Sequence, residues 1–373
     1  MKITDVNTYI VPPEVSVTSW VNGDPWVLVE VNTDAGISGW GQCYTLYDRE
    51  HAIADKAQDL ASRMDGTNPF AINSFIMSAK DEIKGSRNGL EASAAAAGIE
   101  IALWDIVGKA LDAPVHHLLG GPCKDRIRLY ANCWSNIIRS PEELASFAEK
   151  LVQRGFGAVK IYPFLYDVSV AHGIACLSAV RETVGPDVLI FVDMLETMPA
   201  GDSTVIFEAL HRHGVSWLED PAPANDIDTL AAIRRQSNLQ VVVGEELYTN
   251  RDFVRLCEHG AASILNPEVT VLGILGVKEI AAVAEAYSMD IAVHNSNTMT
   301  IGLAAALQAA AVTPNSRWVE FFPTLEVGSN FFSRFPFVLD EDGFIPVPHE
   351  PGLGVAVDKT VLGPMEYNPD SYD

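Results

Sequence analysis

Basic residues are scarce in this sequence of 373 residues, which has 25 lysines and arginines against 49 acids and a formal net charge of −24. So acidic a surface repels phosphate backbones and anionic lipid, which argues against a nucleic-acid or membrane-surface role. The N-terminus has no apolar signal core, and no uncharged apolar run approaches the length of a membrane span. We therefore expect a cytoplasmic protein without a nucleic-acid partner or a membrane segment.

Cysteine is also infrequent. The five cysteines are odd in number and scattered, and they form no Cys-x-x-Cys pair, which argues against a disulfide framework or a zinc site. Apolar residues, by contrast, make up 48% of the chain, so we expect a large buried core and little disorder. The length exceeds that of a usual single domain and suits an α/β barrel of about 250 residues together with a smaller domain.

Three acidic residues are evenly spaced in the middle of the chain, and each closes a short apolar run: Asp193, Glu219 and Glu245. Both gaps are 26 residues, the length of one strand–helix unit, which indicates three successive βα units of a barrel. Their carboxylates would face one mouth, where they repel one another and cannot all stay ionised without a cation. A hard cation such as Mg²⁺ is the natural partner. The even spacing disfavours the alternative of three separate solvated acids.

Short apolar runs alternate with helical stretches after the stop signal Gly120-Gly121-Pro122. The strand candidates are 127–133, 157–162, 188–193, 215–219, 240–245, 262–266, 290–294 and 317–321. Eight strand–helix units form a (β/α)₈ barrel, whose chemistry lies at the carboxyl ends of its strands. We predict an α+β domain over residues 1–122, a (β/α)₈ TIM-type barrel over 123–328, and a C-terminal segment over 329–373 that returns to the first domain.

Polar residues end other predicted strands as well. They are Lys160, Tyr162, Glu268, His294, Asn295 and Glu320. At the carboxyl ends of barrel strands such residues are typical of a catalytic site, although a single histidine there can be structural. A carboxylate metal site that faces lysine, tyrosine and histidine suits removal of the proton α to a carboxylate, because Mg²⁺ stabilises the enediolate that forms.

Two motifs carry a resemblance to a known family. They are the Ala-rich segment 95–109, followed by Pro114-Val115 and Leu118-Leu119-Gly120-Gly121, and the spaced acid trio within Trp217-Leu218-Glu219-Asp220-Pro221 and Gly244-Glu245. In these motifs, and essentially from end to end, the chain resembles the mandelate racemase/muconate lactonizing enzyme branch of the enolase superfamily. The resemblance implies an α+β capping domain, a modified barrel, a homo-oligomer and one essential Mg²⁺ held by Asp193, Glu219 and Glu245.

The resemblance also implies roles for single residues. The family's Lys-x-Lys motif falls on Lys160 and Tyr162, so Tyr162 stands where the base is usually a lysine. A phenol has a pKa near 10 and would need Lys160 and the metal to act as a phenolate. Otherwise Tyr162 is a wall residue and Lys160 is the sole base. The family's Asp–His dyad falls on Glu268 and His294. Glu320 matches an acid that contacts the substrate carboxylate, where it is useful only as a protonated donor.

The resemblance implies that loops of the capping domain select the substrate, and here these loops are about residues 13–25 and 43–49. Trp20 and Tyr44, together with Asn295 of the barrel, are the candidate substrate contacts. The hydroxyl, amide and aromatic content of the two loops suits a polyol chain. The sequence departs from the family pattern at Met194-Leu195, at Glu246 and at Leu272-Gly273-Ile274.

We therefore predict a Mg²⁺-dependent sugar-acid dehydratase whose substrate is a small carboxylate. A base on strand two or seven removes the proton α to the carboxylate, and His294 protonates the departing β-hydroxyl, giving a 2-keto-3-deoxy acid. The alternatives are a racemase or epimerase, with Lys160 and His294 on opposite faces of the substrate, and a cycloisomerase. A homologue that binds a ligand without turnover is disfavoured, because a retired site has no reason to hold three mutually repelling carboxylates.

Overall fold

The N-terminal part of the molecule is an antiparallel sheet covered by helices. The computed structural model describes residues 1–12, 24–85, 89–165, 168–298, 300–326, 333–334 and 338–369. The strands β1 (Ile3–Val11), β2 (Trp26–Thr33) and β3 (Ser38–Cys43) pair in that order. The helices that follow are α1 (Glu50–Ala61), α2 (Ile72–Gly85), α3 (Leu90–Ala110) and α4 (Val115–Leu118). The alanine-rich α3 is buried on nearly all sides, because it packs on this sheet and on a helix of the barrel.

Eight parallel strands within the described ranges close into a barrel. They are β4 (Arg126–Asn132), β5 (Ala158–Ile161), β6 (Leu189–Asp193), β7 (Val215–Glu219), β8 (Gln240–Val243), β9 (Ile264–Leu265), β10 (Asp290–Val293) and β11 (Ser316–Phe321). Consecutive strands are neighbours, and β11 pairs with β4 to close the ring. Each strand overlaps one of the candidates read from the sequence. The predicted TIM-type barrel with an α+β capping domain is confirmed.

Helices connect successive strands of the barrel. They are α5 (Pro141–Gln153), α6 (Val170–Val184), α7 (Ser203–Arg212), α8 (Ile227–Ser237), α9 (Asn250–Glu258), α10 (Val269–Ala286) and α11 (Thr300–Ala311). Several begin where the sequence supplies a cap. Ser140 and Glu143 form a reciprocal capping box before α5, and Pro141 occupies its first position. These caps satisfy backbone N–H groups that the first turn of a helix leaves without a partner.

Helix α10 is interrupted at Gly273, whose φ of 75° is not helical. The backbone N–H groups that follow the break, those of Ile274 and Leu275, donate to the carboxylate of Glu100 at 2.9 and 3.1 Å. Burial raises the pKa of Glu100 to about 7. Since Glu100 lies on α3, a buried acid of the capping domain caps a helix of the barrel and joins the two parts of the molecule.

The C-terminal segment contacts both parts. β12 (Ser333–Arg334) pairs with β14 (Ala356–Val357), whereas β13 (Phe344–Pro346) runs antiparallel to β4 of the barrel. Beyond them, Lys359 at the start of α12 (Lys359–Leu362) forms an ion pair with Glu30 of β2, and the backbone of Tyr367 donates to Thr8 of β1. The segment thus ends on the capping domain, and the predicted boundaries at residues 122 and 328 stay predictions. No helix of the described residues is both long enough and apolar enough to cross a membrane.

Candidate active site

The side chains inside the barrel form layers, because residues two apart on a strand point to the same side. One layer, here the apolar layer, is a buried cluster with one member from each strand: Tyr130, Ala158, Phe191, Trp217, Val242, Ile264, Ala292 and Trp318. Phe191 and Trp217 stack with ring centroids 3.6 Å apart. Two residues further along each strand lies a second set, here the charged layer, which is also buried: Asn132, Lys160, Asp193, Glu219, Gly244, Asn266, His294 and Glu320.

Lys160 is the buried ammonium of the charged layer. Its Nζ lies 2.7 Å from Glu219 Oε1, 2.7 Å from Glu320 Oε1 and 3.3 Å from Asp193 Oδ2. Burial disfavours the charged form, but the attraction of the acids outweighs it and raises the pKa of Lys160 well above its ordinary value. Lys160 therefore stays charged and is held by three carboxylates.

The three evenly spaced acids meet at the edge of this layer. Asp193 and Glu219 are the last residues of β6 and β7 and are register partners. β8 ends earlier than the sequence predicts, because Gly244 turns the chain with a φ of 146°. An added Cβ there would lie 2.7 Å from a buried phenylalanine ring. Glu245 therefore reaches the site from just beyond its strand.

Burial opposes ionisation of two of these acids. The pKa of Asp193 is raised to about 6 and that of Glu219 to about 8, and burial is the largest cause of both shifts. Lys160 acts in the opposite direction. Glu245 differs, because the adjacent His294 outweighs burial and lowers its pKa to about 2. Burial therefore disfavours the ionised form of Asp193 and Glu219 despite Lys160, whereas His294 favours the ionised form of Glu245.

His294 follows β10 and is held between acids. Its Nδ1 lies 2.8 Å from Glu268 Oε2, while its Nε2 lies 2.5 Å from Glu245 Oε2 and 3.1 Å from Glu320 Oε2. The extra methylene of Glu268, relative to the expected aspartate, is accommodated because Oε1 accepts from the backbone and hydroxyl of Thr270. Burial lowers the pKa of His294, but Glu245 and Glu320 raise it well above its ordinary value. Both ring nitrogens then carry protons.

The donor set fits a hard divalent cation. Glu219 Oε2 is buried and has no hydrogen-bond partner among the described residues, although Oε1 of the same side chain is held by Lys160. Ligand atoms of Glu219, Glu245 and His294 lie within 4.8 Å of one another. Asp193 lies outside that group, with Oδ2 against Lys160. The site offers the carboxylate oxygens that Mg²⁺ prefers, while the ligand set of Asp193, Glu219 and Glu245 stays a prediction.

Glu320 lies on β11, and its predicted role as a contact of the substrate carboxylate requires a protonated donor. Oε1 accepts from Lys160 and from the amide of Asn132, both at 2.7 Å. Burial raises the pKa of Glu320, but Lys160 and His294 outweigh burial and lower it. Sequence reasoning missed Asn132, whose amide also donates to the hydroxyl of Tyr162 at 2.7 Å. Its position two residues beyond Tyr130, at the end of β4, is a signal that could have found it.

The surroundings of Tyr162 disfavour its phenolate form. Its ring packs edge-on against Trp134, with centroids 5.0 Å apart. Burial raises the pKa of Tyr162 well above its ordinary value; Lys160 acts to lower it, while Asp193 and other acids raise it further. Lys160 alone therefore does not produce a phenolate.

A cavity of about 220 Å³ lies above the charged layer. Part of its wall is two residues beyond that layer in sequence: Trp134, Tyr162, Leu195, Ser296 and Phe322. Asp193 and His294 reach it from the charged layer, Glu245 from just beyond β8, and Asp24 and Tyr44 from the capping domain. Of these, sequence reasoning missed Trp134, Phe322 and Asp24. The period of two was again the available signal for the first two.

Five predicted site residues within the described ranges do not line this cavity: Lys160, Glu219, Glu268, Asn295 and Glu320. Lys160 is not among the described lining residues, because its ammonium lies beneath them against the acids. Asn295 is buried, donates to the backbone oxygen of Glu320 at 3.3 Å and accepts from Thr298 at 2.6 Å, so it fixes the loop after β10. Trp20 lies outside the described residues.

Comparisons with known proteins agree with this geometry. The family model described as mandelate racemase / muconate lactonizing enzyme, N-terminal domain, matches residues 1–120, and the one described as enolase C-terminal domain-like matches residues 143–361. A D-xylonate dehydratase of Haloferax volcanii is 30% identical over 91% of this chain and 85% of its own length, and a D-galactonate dehydratase of Ralstonia pickettii is 30% identical over 97% and 94%. The solved structure of an enolase from Sargasso Sea environmental sequencing, 28% identical, has a TM-score of 0.90 over 98% of this chain and 97% of its own. The chain belongs to the mandelate racemase/muconate lactonizing enzyme branch of the enolase superfamily.

Proposed function

We propose that the protein is a Mg²⁺-dependent dehydratase that converts a sugar acid, a small carboxylate, into a 2-keto-3-deoxy acid. The observation that carries this proposal is that Asp193, Glu245 and the imidazole of His294 line one cavity, while the adjacent Glu219 has Oε2 unpartnered among the described residues. The relatives named as dehydratases of D-xylonate and D-galactonate support a sugar acid as substrate.

Asp193, Glu219 and Glu245 would hold the cation, since members of this superfamily bind a divalent metal at barrel carboxylates. When bound, Mg²⁺ supplies positive charge that stabilises the enediolate of the substrate and offsets the acids that raise the pKa of Tyr162. Lys160 neutralises the opposite side of the same acids and keeps their carboxylates in place.

Two residues of the cavity are suited to move protons. Tyr162 takes the proton α to the carboxylate, and the amide of Asn132, which donates to the phenolic oxygen at 2.7 Å, stabilises the phenolate. His294 gives a proton to the β-hydroxyl as the carbon–oxygen bond breaks, so that water leaves. Glu268, 2.8 Å from His294 Nδ1, fixes the orientation of the imidazole. The enol that remains tautomerises to the 2-keto acid.

The racemase alternative requires Lys160 and His294 on opposite faces of the substrate. Lys160 is fully buried, is not among the described lining residues and is held by three acids, which favours dehydration over racemisation. Tyr162 is the strand-two group with access to the cavity.

The test is a screen of purified protein with Mg²⁺ against a library of monoacid and diacid sugars, with semicarbazide detection of 2-keto acids. We expect at least one sugar acid to give a 2-keto-3-deoxy product that chelation of Mg²⁺ abolishes. Solvent deuterium that enters a recovered substrate without dehydration would instead assign a racemase or epimerase. Silence in both assays would contradict the proposal.

We further propose a homo-oligomer in the cytoplasm, as the sequence predicts. Sedimentation of the purified protein tests the assembly, and fractionation of cells tests the location.

A further inference from the structure

Asp220, the residue after Glu219, is a buried acid without a partner. Its side chain is 3% exposed, and neither carboxylate oxygen has a hydrogen-bond partner among the described residues. Burying a polar group without a hydrogen bond costs free energy, and a buried charge costs more unless it is paired. The carboxyl group of Asp220 therefore requires an interaction that offsets the free-energy cost of its burial.

The backbone around Asp220 is fixed on both sides and strained. Its φ is +36°, its N–H donates to Val242 of β8 at 3.0 Å, and its carbonyl accepts from the N–H of Glu196 at 2.7 Å. Leu195 and Glu196, beside Asp193, also have positive φ, of 39° and 60°. Strain of this kind persists where the surrounding structure imposes it, and it clusters at functional sites.

The charges that act on Asp220 belong to the site already described. Burial is the largest cause that raises the pKa of Asp220 well above its ordinary value; Glu245, Asp193 and Glu219 raise it further, and His294 lowers it. Lys160, the buried cation of the charged layer, is instead within 3.3 Å of three other carboxylates. Asp220 thus lies among the acids of the site, and neither of its oxygens is satisfied by a described group.

We infer that Asp220 is a positioning residue of the cation site, whose two buried oxygens raise the affinity of the site for Mg²⁺ by accepting hydrogen bonds from water that Mg²⁺ retains. This inference rests on the cation site of the proposed function. Mg²⁺ loses its water reluctantly and keeps several molecules in protein sites. Residues that bond to the surroundings of a metal rather than to the metal itself commonly change its affinity 10- to 100-fold, as an order of magnitude.

A structural role in the turn is the competing explanation, and one substitution separates the two. Asn tolerates positive φ as well as Asp does, so Asp220→Asn keeps the turn and replaces one acceptor oxygen with an NH₂ donor. Asp112→Asn is the matched control, because Asp112 also has a positive φ, of 52°, but is exposed at the end of α3. Should Asp220→Asn not fold, Asp220→Gly also removes the carboxylate and relaxes the backbone.

The experiment is calorimetric titration of metal-free wild type and variants with Mg²⁺, together with thermal unfolding of the metal-free proteins. We expect Asp220→Asn to raise the Kd for Mg²⁺ by about 10- to 100-fold without lowering the metal-free Tm, and Asp112→Asn to change neither quantity. An unchanged Kd in Asp220→Asn, with or without a lower Tm, would overturn the inference alone. A wild type that does not bind Mg²⁺ would overturn the cation site as well. Neither readout depends on the identity of the substrate.

Discussion

The apolar layer and the charged layer of the barrel are built by the same eight strands, and they lie only two residues apart. In the apolar layer aromatic rings stack, as Phe191 does on Trp217, and few polar atoms are present. In the charged layer burial raises the pKa of Asp193 and Glu219, and Glu219 keeps an oxygen that no described group satisfies. The first layer lowers the free energy of the fold, whereas the second raises it unless a cation binds.

The residues that stabilise the barrel and the residues that carry its chemistry are thus only two positions apart on the same strands. A substitution in the apolar layer should cost stability and leave the chemistry of each folded molecule intact. A substitution in the charged layer or in the cavity wall above it should reduce activity and leave the stability of the fold largely intact. Strained and self-repelling sites are retained for function rather than for stability. Four substitutions test this division.

The largest effect on activity is expected for His294→Asn. The variant lacks the imidazole that protonates the leaving hydroxyl, so kcat for dehydration should fall by about 10³- to 10⁴-fold, near the upper range for general acid catalysis. Circular dichroism should show an unchanged fold. His259→Asn, at an exposed helix end, is the control and should keep full activity. A loss below tenfold in His294→Asn would remove this residue from the mechanism.

Phe191→Ala should have the largest effect on stability. Truncation of a buried aromatic side chain leaves a cavity and costs about 3–5 kcal/mol of unfolding free energy. Urea unfolding should report this loss, while kcat of the folded fraction changes little. Phe70→Ala is the control, because Phe70 is 43% exposed, and it should cost much less. If Phe191→Ala reduces kcat as much as a charged-layer variant does, the two layers are not separable.

Tyr162→Phe decides between the two roles considered for this residue. If the phenolic oxygen takes the α-proton, the variant should lose about 10²-fold or more in kcat, and exchange of that proton with solvent deuterium should slow equally. Tyr287→Phe at the surface is the control. A variant that keeps kcat and changes KM alone would make Tyr162 a wall residue.

The sequence predicted most of the architecture because it depends on local patterns. Short apolar runs gave all eight strands, and the even spacing of the acids was enough to place them at one mouth of the barrel. Strand ends were predicted less accurately: β8, for example, ends two residues before its predicted end, because Gly244 turns the chain beside a distant phenylalanine ring. A pattern of residue types does not contain that contact.

Other features of the site depend on distances that sequence does not contain. Lys160 and Tyr162 are equally plausible bases by the period of two, but only the structure distinguishes an ammonium held by three acids from a phenol at the cavity. The lowered pKa of Glu320 is due to Lys160 and His294, which lie 160 and 26 residues away in the chain. Asn132 was overlooked because asparagine at a strand end carries no charge to attract notice.

The substitution with the smallest expected effect is at Glu100, an acid that belongs to neither layer. It tests whether burial alone disfavours the ionised form of a carboxyl group. Glu100 is buried like the acids of the charged layer, yet its oxygens accept from Ile274, Leu275 and Trp104. Burial still raises its pKa from 4.5 to about 7. A raised pKa in the folded state means that the stabilising contribution is complete below about pH 4.5 and is lost as the pH rises through about 7.

Glu100→Gln stays neutral at every pH but offers one acceptor oxygen instead of two. It should therefore be less stable than the wild type at pH 5, and the difference should shrink by about 2 kcal/mol between pH 5 and pH 8, since one pKa unit is worth about 1.4 kcal/mol. Urea unfolding at both pH values measures this change. Glu149→Gln, at an exposed position on α5, is the control: its free energy of unfolding should change with pH in parallel with that of the wild type. If Glu100→Gln also follows the wild type in parallel, the hydrogen-bond partners of Glu100 fully offset the effect of burial on its pKa. The raised pKa values in the charged layer would then be due to missing hydrogen-bond partners and not to burial.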